Sequence, residues 1–398
     1  LKFAYFGLPH VGGTYSVFKY LRDGLSGHGV DLRWIGMGPW SIDENPAWRA
    51  DMAFGEVVDA PPSAPEMDQA AALLDTIGKG GFDGVFVNVL ADRVQTNAIR
   101  YLPRDMLRIM IVHSITPGTY AGARAIRDHV HAAVGVSERC RRDLIDQFGF
   151  DPSRTVTIPN PVDVTRLGSQ ARTPSPANSL RVLYLGRIDD TPKGVLWLPK
   201  IMDRLPASIT LTVAGGGPDL ARLKHDMRRH IDRVAFLDYV APDRIPGLVA
   251  SHDVFVMPSR FEGFGLALVE AMAGGSVPVA SRIRLVTDTI VDHGENGFLF
   301  PVGDCAAAAR HIETLAGDRA MLDRMSQAAR LKAGGSFDLD RTAASYAELL
   351  TRLSKSPPPI ADPLKLDEWR MPSGLRDGLR TYLPKPVKNW LRVLREHA

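Results

Sequence analysis

At 398 residues, with 45% apolar and 23% charged residues, the chain is long enough for two domains that each bury a core. A net charge of +3 is too small for that length to indicate nucleic acid as a partner. The two cysteines, Cys140 and Cys305, have neither disulfide-framework nor metal-ligand spacing, and no apolar run approaches the roughly 18 residues of a membrane span. A reducing, cytoplasmic setting is therefore expected, with no metal site and with contact at the inner membrane face left open.

The first half alternates strand and helix. Lys2 to Phe6 reads as a buried strand and Gly7 to Gly13 as a glycine-rich turn. Thr14 is placed to cap a helix carrying Val17, Phe18, Leu21 and Leu25 on one face. Strands follow at Val30 to Ile35, Val85 to Leu90, Leu107 to Val112 and Ala132 to Ser137, with helices at Glu66 to Ile77, around Arg93 to Tyr101, and at Glu138 to Phe148. The stretch from Met37 to Pro65 is expected to be mostly loop around a short Val57-Val58 strand. Each proline of Ile158-Pro159-Asn160-Pro161 biases its predecessor away from helix, so an extended turn is expected there. Gly168 to Ser179 has turn formers and no apolar period, and reads as an interdomain linker.

The alternation then restarts. Strands are expected at Arg181 to Leu185, Thr210 to Ala214, Val234 to Val240, Asp253 to Met257 and Val277 to Ala280. Helices are expected at Lys193 to Leu205, Asp219 to His230, Pro242 to Ser251 and Leu266 to Ala273. Asp304 to Leu353 reads as helical with breaks near Gly317 and Gly334-Gly335, and the triple proline at Pro357 ends the compact part. Strands alternating with helices predict two mostly parallel, doubly wound α/β sheets.

The chemistry concentrates between Asp253 and Ser281. Glu262-Gly263-Phe264-Gly265 forms a glycine loop at a strand's carboxyl end and opens a helix with unpaired amides, an anion site in principle. Glu262 and Glu270 frame it with seven residues between them. Glu270 sits in a helix otherwise made of Leu, Val, Ala and Met, where a carboxylate is costly unless hydrogen-bonded. A ribose diol or a structural amide pair would equally serve. Arg187, after one predicted strand, and Lys193, at the start of the following predicted helix, are placed for a diphosphate. Taken singly, each is as well explained as a solvated surface residue, and Gly215-Gly216-Gly217 as an ordinary turn.

Taken together, Gly186-Arg187, Lys193-Gly194, Ala214 to Pro218, Pro258-Ser259, Glu262-Gly263-Phe264-Gly265 and Glu270-Ala271-Met272 resemble the retaining glycosyltransferases of family four, on the GT-B fold. The resemblance is close over Arg181 to Val302 and looser before it. It implies two Rossmann-like domains facing a cleft, 1–167 on the acceptor side and 180–338 on the donor side. Between them lies the 168–179 linker, and residues 339–398 cross back as helices and a basic tail. It implies that Glu270 holds the ribose, that Glu262 contacts the donor sugar, and that Arg187 and Lys193 bind the diphosphate. The Phe264, Gly265 and Leu266 amides and the loop at Gly216 then face sugar and phosphate. The turn at Gly12-Gly13 is similar to the family's first loop, near donor phosphate and acceptor. His113, just past a strand, is implied to contact the donor sugar.

The activity so implied is transfer of a hexose-like sugar from a UDP- or GDP-linked donor to a saccharide or lipid-linked acceptor hydroxyl. It proceeds with retention and without a metal or resident cofactor, and serves envelope polysaccharide or glycoconjugate synthesis. Departures are Pro161 after Asn160, Asp238 at a usual glycine, and Arg282 to Asp288 where the family has a Gly-Gly-Pro-Glu-like loop. The rivals are a catalytically silent nucleotide-sugar-binding subunit and a dinucleotide-dependent oxidoreductase. Against the oxidoreductase, Gly7 and Gly12 are too far apart for a Gly-x-Gly-x-x-Gly turn. Asp340 to Leu353 is expected to pack back across the first domain, whereas for the basic tail from Trp369 onward, within 365–398, docking on an anionic membrane and packing back stand as equal readings.

Overall fold

Short apolar runs form parallel strands among the described residues, and the central ones are buried on both faces. The computed structural model describes residues 1–10, 12–38, 47–89, 92–173, 175–176, 179–376, 384, 387–388 and 390. It divides into two compact units, Leu1–Pro161 with Leu339–Tyr382, and Val162–Asp338 with Leu383–Ala398.

The first unit holds a seven-stranded sheet in the order β3-β2-β1-β4-β5-β6-β7. Its strands are β1 (Lys2–Phe6), β2 (Asp31–Gly36), β3 (Gly55–Val57), β4 (Gly84–Asn88), β5 (Leu107–Val112), β6 (Ala132–Gly135) and β7 (Thr155–Thr157). Register runs Lys2 on Asp31 and Phe3 on Gly84, and every pairing is parallel. The expected face of helix Gly13–Ser26, from Val17 to Leu25, is buried. Ser137 caps helix Glu138–Phe148 as its position suggests, its hydroxyl accepting from the Cys140 amide.

The second unit holds a six-stranded sheet in the order β10-β9-β8-β11-β12-β13. These strands are β8 (Leu180–Leu185), β9 (Ile209–Ala214), β10 (Val234–Leu237), β11 (Val254–Met257), β12 (Val277–Ser281) and β13 (Phe298–Phe300), again all parallel. Strand order reverses at β8 and β11, so a crevice opens at their carboxyl ends, where such sheets bind ligands. Leu180, Val182, Ile209 and Val254 lie in the core of this unit, with Ile312 and Leu322 from the helices that cover it.

Several elements are absent from the sequence expectation. Helix Pro117–Ile126 starts at a proline tolerated in its first turn and capped by Thr116. β7 and β13, three residues each, are too short to show a period. Helix Val164–Gly168 follows the proline turn directly, capped by Asp163. The expected break at Gly334-Gly335 does not occur, because helix Arg319–Phe337 runs through both and ends at Asp338, whose ψ is 147°.

The 168–179 stretch is fastened to the second unit. Thr173 N–H donates to Ala250 O, and Arg172 and Ser175 both bond the fully buried Asp253. The compact part also continues past the triple proline. Ala361 and Leu364 amides donate to Asp128 and Arg100 carbonyls, and Met371 and Leu375 are buried. The Trp369 ring lies 4.7 Å from that of Tyr101, which accepts the Arg370 amide. Trp369 is thus half-buried against the first unit. Farther along the tail, Val387 and Trp390 are exposed, and Tyr382 and Leu391 lie outside the described residues. No helix among the described residues is long and apolar enough to cross a membrane.

A Cβ at Gly334 or Gly335 would meet no atom within 4 Å. Alanine at either should therefore raise stability by about 0.5–1 kcal/mol, through lost freedom of the unfolded chain. Urea unfolding of the two single variants checks this, and a lower midpoint would mean that the glycine has a packing role.

Candidate functional site

β11 ends where Pro258 removes the next ladder donor, and the chain turns outward through Ser259 to Gly265. Gly265 adopts φ +103°, a left-handed conformation that a side chain would strain, and so starts helix Leu266–Gly274 abruptly at the strand end. No side chain caps this helix, so the Leu266 and Ala267 amides lack a side-chain acceptor, while the Leu268 amide donates to Gly265 O at 3.0 Å. Phe264 is buried against Phe337, with ring centroids 5.5 Å apart, and anchors the loop from below.

Glu270 lies one turn into that helix and is only 8% exposed. It has no hydrogen-bond partner among the described residues. Burial pushes its carboxyl up to about 7, against a weaker opposing pull from Arg166. This is the costly carboxylate that the sequence indicates, and no structural amide pair occupies it.

Lys193 and Glu262 meet. Lys193 Nζ is 2.6 Å from Glu262 Oε1, and Ser259 Oγ donates to the same oxygen at 2.6 Å. Glu262 is thus half of an ion pair through Oε1. Lys193 also sits differently from expectation. It ends a single turn, Asp190–Lys193, capped by Asp189, instead of starting a helix to Leu205. Gly194, left-handed at φ +59°, stops that turn, and a Cβ there would lie 2.1 Å from Pro258 O. Separate turns, Val195–Trp197 and Leu198–Met202, follow.

Arg187 is 65% exposed, its Nη2 3.1 Å from Asp189 Oδ2. After β9, Gly215 and Gly217 press on the backbone of Gly186 and Ile188, whereas a Cβ at Gly216 would meet nothing within 4 Å. Gly216 is therefore the position of this turn with open space beside it. Residues that sequence reasoning missed here are Asp190 and Arg260. Arg260 Nη2 is 2.8 Å from Asp190 Oδ2. A basic residue directly beside a strand-end Pro-Ser was the only local signal.

In the first unit, His113 follows β5 as expected and its Nε2 is 2.9 Å from Asn88 Oδ1. Asn88 Nδ2 donates to Phe6 O at 2.6 Å, so its Oδ1 must accept, and His113 carries its proton on Nε2. Nδ1 is then a lone-pair acceptor, with no partner among the described residues. Burial lowers the pKa of His113 to about 4, so the ring is neutral at pH 7. Asn88, a polar end to a buried apolar strand, was a signal of the same kind as His113. Gly12 and not Thr14 is the N-cap of helix Gly13–Ser26. The Thr14 hydroxyl instead bonds His10 Nε2 at 2.9 Å, and the His10 ring crowds Gly12, so a Cβ there would lie 2.9 Å from it. His10 braces the turn.

Residues 179–318 match the family model of glycosyl transferases group 1. They lie wholly in the second unit and contain Arg187, Lys193, Gly216, Glu262 and Glu270. Phosphatidyl-myo-inositol mannosyltransferase of Mycobacterium tuberculosis is 35% identical over 205 residues, 49% of this chain and 53% of that protein. Glycogen synthase of the same species is 26% identical over 264 residues, 62% of this chain and 63% of that protein. The chain spans about half the length of the mannosyltransferases it matches. Among solved structures, Anabaena HepE in complex with UDP and glucose has a TM-score of 0.72, covering 88% of this chain and 99% of that one at 19% identity. Sucrose-phosphate synthase from Thermosynechococcus elongatus has a TM-score of 0.74, covering 89% and 99% at 18% identity. The α/β architecture expected from the resemblance is the fold that these structures share.

Because the folded-state pKa of Glu270 lies above the ordinary 4.5, the folded chain holds a proton that the unfolded chain loses between pH 4.5 and about 7. Stability from this group is full below 4.5 and is lost as pH rises through that window. Relative to wild type, Glu270→Gln should therefore gain about 3 kcal/mol between pH 4.5 and pH 8. Denaturant unfolding of both proteins at the two pH values measures it, and a gap that does not change with pH would refute the buried charge.

Proposed function

We propose that this protein is a retaining glycosyltransferase of family four, moving a hexose-like sugar from a UDP- or GDP-linked donor to an acceptor hydroxyl. The observation that carries the reading is the arrangement at the carboxyl ends of β8 and β11. There a buried carboxylate without a protein partner, Glu270, rides on the helix that opens with uncapped amides, beside the Lys193–Glu262 pair. A buried unpartnered carboxylate suits vicinal hydroxyls, and uncapped amides with cations suit a diphosphate.

In this reading Glu270 accepts from the ribose diol. Arg187, Lys193 and the amides at Leu266 take the diphosphate, and Glu262 turns to the sugar hydroxyls once phosphate draws Lys193 away. By the resemblance, the turns at Gly12-Gly13 and Gly216 approach the donor phosphate, and neutral His113 contacts the donor sugar. The bond from the anomeric carbon to the diphosphate oxygen breaks, and the acceptor oxygen bonds to that carbon on the same face. The acceptor proton passes to the departing phosphate, so no protein nucleophile is required. The fixed cations and amides stabilise the charge that develops on the leaving group. The acceptor class we favour is a saccharide or lipid-linked sugar of an envelope polysaccharide or glycoconjugate. The mannosyltransferase and synthase names of the similar proteins point the same way.

Donor hydrolysis by the purified protein should be detectable with at least one sugar in a panel of UDP-, GDP- and dTDP-linked donors. Lys193→Ala should lower kcat/KM for that donor by roughly 100-fold or more. No hydrolysis with any donor would favour the silent binding subunit, and an unchanged Lys193→Ala would refute the electrostatic account.

A further inference from the structure

The loop after β11 and the turn after β8 are tied by one buried cation outside the roles given so far. Arg260 is 8% exposed, and its guanidinium lies 3.9 Å over the Trp197 ring. Its Nη2 reaches Asp190 Oδ2 at 2.8 Å, and its amide donates to Pro192 O at 2.8 Å. Asp190 in turn organises the strand of chain that ends in Lys193. Its Oδ1 accepts the Leu196 amide at 3.0 Å, its carbonyl accepts the Gly194 amide at 3.0 Å, and its own amide donates to Asp219 Oδ2 at 2.7 Å. Asp190 therefore closes the turn on both sides of Lys193, and Arg260 ties that turn to the loop that carries Glu262.

Burying a guanidinium is expensive, and a pair of this kind contributes little net stability compared with well-packed apolar side chains. Arg260 Nη1 is also buried with no hydrogen-bond partner among the described residues, an added cost. Geometry is what the pair provides. The carboxylate fixes the guanidinium plane on the indole, and the guanidinium fixes the turn. Lys193 has a flexible stem, so the position of its ammonium depends on the turn that bears it.

We propose that Arg260 is a positioning residue that sets Lys193 for the donor diphosphate through Asp190, at fixed reach from the helix amides after Gly265. This rests on the reading of Lys193 as the diphosphate cation. Arg260 itself touches neither substrate nor reacting atoms.

The test measures binding of UDP and GDP by calorimetry, and thermal unfolding, for wild type, Arg260→Met, Arg260→Lys, Asp190→Asn, Lys193→Gln and Arg260→Met/Lys193→Gln. Arg260→Met and Asp190→Asn should each weaken binding of the preferred nucleotide roughly tenfold at a temperature where the protein is fully folded. Arg260→Lys should recover part of this, since an ammonium still pairs with Asp190 without the planar contact on Trp197. The double variant should bind no worse than Lys193→Gln alone, because Arg260 acts through the lysine. Binding by Arg260→Met within twofold of wild type, or losses that add fully in the double variant, would overturn the proposal. Should Arg260→Met fail to fold, Asp190→Asn, which keeps the Oδ1 acceptor, carries the same test. Wild-type affinity in Lys193→Gln would instead overturn the diphosphate role of Lys193, which separates failure of the reading from failure of the inference.

Discussion

A strand covered on both faces has no room for a polar side chain along its length, and this constraint places the chemistry of this protein. β5 is buried at all six positions, and His113 stands at the first residue beyond it. β4 is buried throughout and finishes on Asn88. β11 is four buried apolar residues, and Ser259, Arg260 and Glu262 crowd the turn that follows. The exception confirms the rule physically. Arg108 lies inside β5 with 0% exposure, and its Nη2 donates to the carbonyls of Leu102 and Pro103 beside the strand's amino end, while its Nε has no partner among the described residues.

The second unit then concentrates charge where the sheet reverses direction, and it does so at a cost to stability. Glu270 is buried without a hydrogen bond, Arg260 is buried with one nitrogen unpartnered, and Lys193 and Glu262 neutralise one another at 2.6 Å. An isolated surface pair of this kind contributes about 0–1 kcal/mol. In the proposed reading, the arrangement is a site held ready for a ligand, at a cost to folding. Each group is either paired with a partner that an anion can displace or left open on one side.

The sequence was most legible where local chemistry decides local structure. Ser137 caps its helix, Leu266 to Gly274 is helical between two glycines, and Lys2 to Phe6 and Leu107 to Val112 are strands at the expected residues. Legibility failed where two local rules competed. Thr14 is a good cap by composition, but the extended Gly12 reaches the helix first and Thr14 turns to His10. Gly334 and Gly335 weaken a helix by propensity, yet packing by Ala333 and Phe337 carries it through. Beyond the triple proline, the chain has too little period to suggest a packed segment. Tyr101, Arg100 and Asp128, more than 200 residues earlier, supply the partners.

By itself, the sequence determined the alternation of strands and helices, and with it the α/β class, because apolar runs and turn formers act within a few residues of one another. It likewise determined that Glu270 would be a buried carboxylate and that a glycine would open its helix. Only the tertiary structure decided that Lys193 meets Glu262 and that Arg260 meets Asp190. Those partners lie 69 and 70 residues apart and are joined because β8 neighbours β11 in the sheet. Strand order follows from how the crossovers pack, and no window of the sequence contains it.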